Sequence, residues 1–273
     1  MQTFVKFGGS VITDKKGQEA PDLPLIRRLA AEVRAALDVA PPDYRLIIGH
    51  GSGSFGHTYA RRYGIHTGLA PDADWMGFAQ TAAAALRLNR IVVDELLSAG
   101  VPAIAFQPSA TLVSTGGLLA AWDTAALERA LARRLVPVVH GDVAFDTAQG
   151  SAIISTEQLL EALCRDSALQ PTRVILVGEA GVYTADPRAN PRAQRIPFIT
   201  AENIDTVLRG TGGSHGADVT GGMRSKIELM WQLVQAIPTL QVQLIGPAPG
   251  LLTAALLGQA SGAGTLLMYQ PVL

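Results

Sequence analysis

The feature that most constrains this chain is a repeated pairing of a short apolar β-rich run with glycine or small polar residues directly after it. TFVKF is followed by GGS, RLIIG by HGSGSFGH, AIAF by QPS, VPVVH by GD, and RVILV by GEAG. Two further runs, VQLIG and TLLM, lie near the C-terminus. The runs are apolar throughout rather than alternating, the pattern of strands buried on both faces. Between most of them apolar residues recur three and four apart. Examples are LPLIRRLAAEVRAAL, WMGFAQTAAAALRLNRIVVDELL, DTAALERALARRL, TEQLLEALCRDSAL and DVTGGMRSKIELMWQLVQAI. Strands alternating with helices imply a largely parallel sheet covered on both sides. In such sheets ligands bind at the carboxyl ends of the strands, so five such loops on one edge predict a site there.

The 273 residues allow one large α/β domain or two small ones. No internal repeat or low-complexity linker divides them. Hydrophobic residues make up 48% and charged residues 16%, a globular composition. The net charge of −1 gives no global field toward nucleic acid or a membrane, so neither is expected as a partner. Affinity for phosphate must come from a few local groups. Cys164 stands alone, which excludes an internal disulfide, and its setting in LLEALC predicts a buried thiol. No Cys/His spacing suits a metal. The last 45 residues carry no charge. Gln, Pro and Gly interrupt them, and no apolar run approaches the ~20 residues of a membrane span. A buried strand–helix–strand unit is expected there. MQTFVKFGGS lacks the apolar core of a signal peptide, which points to the cytoplasm.

Within GHGSGSFGH (49–57), Gly51 to Gly56 match G-x-G-x-x-G. A dinucleotide site also needs a long helix close behind and an acid at the next strand end, roughly 20 residues on. Here HTYARRYG reads as short and polar, and Asp72 and Asp74 precede a helix rather than end a strand. No Gly-Lys pair exists, which excludes a Walker loop. What remains is an anion nest of backbone N–H groups, with Ser52, Ser54 and His57 as added donors. A tight turn with a surface histidine is the plainer alternative. In VKFGGSVITDKK, Lys6 interrupts an apolar strand, which is costly unless it is paired. Gly8, Gly9 and Ser10 follow at once and Lys15 soon after; a guard lysine on an edge strand is the other reading. In DVTGGMRSK, Asp218 or Thr220 is a candidate helix cap, Gly221 and Gly222 permit close approach, and Lys226 lies about one turn on; an ordinary capped amphipathic helix is the other reading. Lysines with backbone donors are what phosphoryl transfer uses.

Taken together, KFGGSVITDK, GHGSGSFGH, HGDVAFD, GVYTADPR and DVTGGM resemble the amino acid kinase superfamily, and within it the isopentenyl phosphate kinases. The resemblance implies a three-layer α/β/α sandwich with a mainly parallel central sheet of about eight strands. It implies one domain over residues 1–273, with a lobe near 1–168 for the phosphoryl acceptor and one near 169–273 for ATP. The implied reaction is ATP- and Mg²⁺-dependent phosphorylation of a small isoprenoid monophosphate, isopentenyl phosphate, to the diphosphate. A homodimer is implied as well. Lys6, Lys15 and Lys226 match lysines facing the transferring phosphates, and Gly8, Gly9 and Ser10 match the loop over the nucleotide's terminal phosphates. Gly53, Ser54 and His57 match the acceptor-phosphate loop, and Gly141 and Asp142 line the same site. Gly181, Val182, Tyr183, Asp186 and Pro187 match the nucleotide loop, and Gly221 and Gly222 match the loop beside the nucleotide phosphates. Two departures stand out. STEQ (155–158) replaces an acid-bearing S-G-D-D, so Glu157, Asp142 or Asp146 is left to organise the lysines. Ser52 also replaces a glycine of the usual GGGSFGH. Trp75, Met76, Phe78, Ala79, Ala83, Phe145 and Ile153 are candidates for an apolar wall around the isoprenoid tail, with plain core as their alternative. A fosfomycin kinase and a catalytically silent nucleotide sensor are the competing functions on this fold.

Overall fold

The computed structural model describes residues 2–14, 17–70, 72–166, 168–187, 189–210 and 222–269. The chain begins with β1 (Gln2–Phe7), α1 (Gly9–Ile12), α2 (Leu23–Val39), β2 (Arg45–His50), α3 (Gly53–Arg62), α4 (Met76–Ser98) and β3 (Ala103–Ala105). It continues with β4 (Leu112–Thr115), β5 (Leu118–Trp122), α5 (Ala125–Ala132), β6 (Val136–His140), β7 (Asp142–Asp146), β8 (Gly150–Ile154) and α6 (Thr156–Arg165). Next come β9 (Arg173–Val177), β10 (Val182–Tyr183), β11 (Arg195–Ile196), β12 (Phe198–Ile199) and α7 (Ile204–Gly210). The last are α8 (Gly222–Ala236), β13 (Gln241–Ile245), α9 (Leu251–Leu256) and β14 (Thr265–Leu267).

Eight strands form one sheet in the order β12-β14-β13-β9-β1-β2-β6-β3. All its pairings are parallel except β13 with β14. β1 sits inside the sheet, between β2 and β9, so Lys6 is not an edge guard. The inner strands are buried on both faces, and their side chains alternate between two cores. Val5, Phe7, Leu46 and Ile48 pack with Leu29 and Val33 of α2, Leu88 and Val92 of α4, and Leu252 of α9. Phe4, Ile47, Val174 and Leu176 pack with Leu159 and Leu163 of α6 and with Met230 and Val234 of α8. Each such side chain, fully buried, contributes about 1.5–3 kcal/mol. The result is the expected α/β/α sandwich. The C-terminal strand–helix–strand unit is β13, α9 and β14. Cys164 is buried against α6's core, and burial pushes its thiol up from the ordinary value.

Two parts of the architecture differ from the sequence reading. A four-stranded sheet, β5-β4-β7-β8, stands beyond the end of β6, where a strand had not been expected. Its strands carry polar or exposed residues on one face, as in LVST and DVAFD, so they lack the continuous apolar run that marks a strand buried twice. The segment after the second glycine loop, read as short and polar, is the ten-residue helix α3. It packs on α4 and buries Phe55 and Ala60. No helix among the described residues is long and apolar enough to cross a membrane.

Candidate active site

The carboxyl ends of β1, β2, β6 and β9 open into a cavity of ≈ 690 Å³. Its lining includes Lys6, Gly8, Gly9, Ser10, Gly53, His57, Gly141, Glu157, Gly222 and Lys226, drawn from five separate segments. The two glycine loops interlock at its floor. A Cβ on Gly9 would lie 2.6 Å from the backbone nitrogen of Gly53, and one on Gly51 would lie 2.8 Å from that of Gly9. Gly53 also has φ +49°. Backbone packed this closely leaves N–H groups, rather than side chains, to face a ligand.

Lys6 alternates with Val5 and Phe7 along β1, so it shares Phe4's face and points toward α6 and α8. Those helices deliver its partners. Glu157, in the first turn of α6, forms an ion pair with Lys6, and its Oε1 lies 4.0 Å from Lys226 Nζ at the start of α8. Burial pulls the Lys6 ammonium below its ordinary value, and the Glu157 carboxylate works against that pull. Burial also acts to raise Glu157, but the charges of Lys6 and Lys226 outweigh it and hold the carboxyl below its usual range. Of the three acids left open by the sequence, Glu157 is the one that meets lysines among the described residues. Asp142 instead accepts from Ser109 N (3.1 Å) and Val143 N (2.8 Å), and burial raises it to about 6. Asp146 accepts from Ser114 Oγ and from the backbone of Gly116, Gly117, Ala148 and Gln149. Although its removal from water acts to raise it, these bonds hold its carboxyl far below the ordinary value.

Residues 1–241 match the model of the amino acid kinase family. The chain belongs to that family. The isopentenyl phosphate kinase of Methanothermobacter thermautotrophicus is 36% identical over 265 residues, covering 94% of this chain and 95% of the relative. That of Methanocaldococcus jannaschii is 33% identical, covering 84% and 86%. A solved structure of isopentenyl phosphate kinase, 32% identical, superposes with a TM-score of 0.82 over 98% of this chain and 100% of the other.

Other expected site residues of this amino acid kinase fall away from the cavity. Ser54 is buried: its N–H donates to Thr13 Oγ1 (3.0 Å) and its Oγ accepts from Ala20 N (3.2 Å), so Ser52 takes the place on the wall. Gly181 precedes β10, Tyr183 ends it, and Asp186 and Pro187 lie in the connection from β10 to β11, while Gly178 and Glu179 form that side of the cavity. Val182 N is held by Thr265 Oγ1 at 2.7 Å. Asp142 and Phe78 also lie off the lining. Phe78 is core, packed with Ile65 and Val143 in a third small cluster. Ile153 lines the cavity and also packs against that cluster. Phe145 and Met76 are half exposed, and Ala79 and Ala83 face outward. Lys15, Gly221 and the candidate caps Asp218 and Thr220 lie outside the described residues.

The sequence reading missed Thr156 and Ser155. Thr156 Oγ1 donates to the His50 carbonyl at 2.7 Å and joins α6 to the end of β2. Its signal was present: S-x-x-Q is a capping box. Gln158 N donates to Ser155 Oγ (3.2 Å) and Ser155 N donates to Gln158 Oε1 (2.8 Å). Read that way, STEQ starts a helix and places Glu157 in its first turn, where the helix dipole favours a carboxylate.

Proposed function

We propose that this chain transfers the γ-phosphoryl group of ATP to isopentenyl phosphate, forming isopentenyl diphosphate. The observation that carries the proposal is the pair of interlocked glycine loops, with His57 on one and the Lys6–Glu157–Lys226 cluster beside the other. Two phosphate-sized anions need two cradles in contact, and the loops after β1 and β2 supply them. The backbone at Gly8 and Gly9 fits the nucleotide's terminal phosphates, because a side chain there would strike Val177 O or Gly53 N. His57, Ser52 and Gly53 fit the acceptor's phosphate. Mg²⁺ would arrive on the nucleotide's phosphates, its usual partners, and would supply charge neutralisation between them.

A phosphate monoester is already nucleophilic at neutral pH, so the enzyme's task is positioning and charge screening. Lys6, oriented by Glu157, faces the junction of the two loops, and Lys226 approaches from α8. We assign the acceptor to the lobe near 1–168 and the nucleotide to that near 169–273, where Gly178, Glu179 and Gly222 form the wall. Ala152 and Ile153 of β8 give the isoprenoid tail its apolar contact, with the Phe78 cluster behind them. Part of the same reading is a cytoplasmic homodimer.

The test is ADP release with Mg-ATP and, separately, isopentenyl phosphate, dimethylallyl phosphate, fosfomycin, N-acetylglutamate and uridylate. Turnover confined to the isoprenoid phosphates is the expected result. A preference for fosfomycin would keep the His57 assignment and overturn the tail wall. Nucleotide binding without turnover on any acceptor would favour a sensor.

A further inference from the structure

β2 and β6 end side by side, and their last residues, His50 and His140, are neighbours in register. Both rings are buried at 0% exposure and stack 5.6 Å apart. His50 continues the row of Leu46 and Ile48, so it points toward α4, away from the Lys6 face. There its Nε2 lies 3.1 Å from Asn89 Nδ2, and its Nδ1 lies 3.1 Å from the carbonyl oxygen of Gly51. An amide nitrogen only donates, so Nε2 accepts and the ring proton sits on Nδ1, where it donates to Gly51. For a neutral ring no other proton placement satisfies both contacts, and burial keeps the ring neutral by lowering it to about 3. Asn89 is itself fully buried, and its Oδ1 has no partner among the described residues. A buried amide kept at that cost, bonded to a histidine, is a device for fixing the histidine's proton.

The Gly51 peptide carries the consequence into the site. Gly51 N donates to Phe7 O at 3.0 Å, and its carbonyl is drawn down to the His50 ring. In a trans peptide the next N–H points opposite to the carbonyl, and no cis bond occurs among the described residues. The Ser52 N–H is therefore turned up, to the side where Gly51, Ser52 and Gly53 line the cavity. We propose that His50 is a positioning residue: held by Asn89 with its proton on Nδ1, it aims the Ser52 N–H at the acceptor's phosphate. The identity of that anion rests on the proposed function; the tautomer does not.

Nitrogen-resolved NMR of the imidazole rings in the wild-type protein reads the tautomer directly, and an Nδ1-protonated neutral His50 is expected. Two variants separate the nitrogens. H50N places an amide N–H near the old Nδ1, whereas H50Q places its amide near the old Nε2. H50N should leave KM for isopentenyl phosphate close to wild type. H50Q should raise it about 10- to 100-fold, the loss of one hydrogen bond to a charged group, with KM for ATP unchanged. An Nε2-protonated or doubly protonated His50 at neutral pH, or equal KM values in the two variants, would overturn the proposal. If both variants fail to fold, the wild-type spectrum still decides. If the wild type ignores isopentenyl phosphate, inorganic phosphate titrated against the Ser52 amide resonance takes over. A shift supports the positioning role, and no shift overturns it independently of the acceptor.

Discussion

Among the chain's basic residues, four are lysines and eighteen are arginines. All four lysines fall within VKFGGSVITDKK and DVTGGMRSK. Arginine does the surface pairing, as in Arg34 with Asp38 and Arg224 with Glu228. The compact ammonium occurs only in the two motifs proposed to hold phosphate, where it would act as a point charge. Two predictions belong at this scale. H57A should lower kcat/KM for the phosphate acceptor about 10²- to 10³-fold, the loss of one preorganised donor, while KM for ATP stays near wild type. Steady-state kinetics with each substrate varied would check it. E157Q should leave Lys6 buried without a counter-charge and destabilise the fold by about 3–5 kcal/mol in urea unfolding, with turnover lost. D142N, which touches neither lysine, should keep turnover. The lysines and glycine loops were legible in the sequence because a charge in an apolar strand and a glycine pair at its end break local rules. Ser54's role was not. Whether a hydroxyl faces a ligand or clasps a neighbouring loop depends on Thr13 and Ala20, which come close only after folding.

At the scale of elements, the loops after β1 and β2 behave as one unit because each occupies the space a side chain would need on the other. G9A should therefore force the two backbones apart. The expected result is a cost of about 1–3 kcal/mol in thermal unfolding and a near-complete loss of turnover, since both cradles shift together. S155A removes a helix cap and should cost about 1 kcal/mol. Seven strands of the main sheet were readable as apolar runs; β12 was too short to register. The second sheet was hidden for a different reason. HGDVAFD looks like a loop motif, and only its partners, β4 and β8, reveal that it is a strand whose Asp146 ties the β4–β5 turn. The helix α3 was obscured by its polar outer face, which follows from its lying on α4 rather than on the sheet.

For the whole molecule, the cluster of His50, His140 and Asp142 ties stability to pH. Burial lowers His50 to about 3 and His140 to about 4, below the ordinary 6.5, so the unfolded chain binds more protons at these two sites. Their contribution is complete above about pH 6.5 and is lost as pH falls toward 4. Asp142 works the other way: raised to about 6, it holds a proton in the folded state that the unfolded chain has released. Two protons against one leave stability rising with pH between about 4 and 6, by roughly 1 kcal/mol per pH unit. D142N should steepen that slope toward twice the value, and H140Q should flatten it, as measured by urea midpoints across the range. Neither effect was foreseeable from spacing, because the histidines stand 90 residues apart and meet through strand register.

The place of β1 has a consequence for how the molecule comes into being. Residues 2–7 pair on one side with 45–50 and on the other with 173–177. During synthesis β1 is therefore held along one edge only, until residues 173–177 have left the ribosome. Its free edge presents unpaired backbone N–H and C=O groups, and long-range parallel pairing is slow. A chain arrested before residue 173 should show no protease-resistant core and should recruit holding factors. The two lobes proposed for the substrates would then not be stages of assembly, and mixing separately folded halves should not restore turnover.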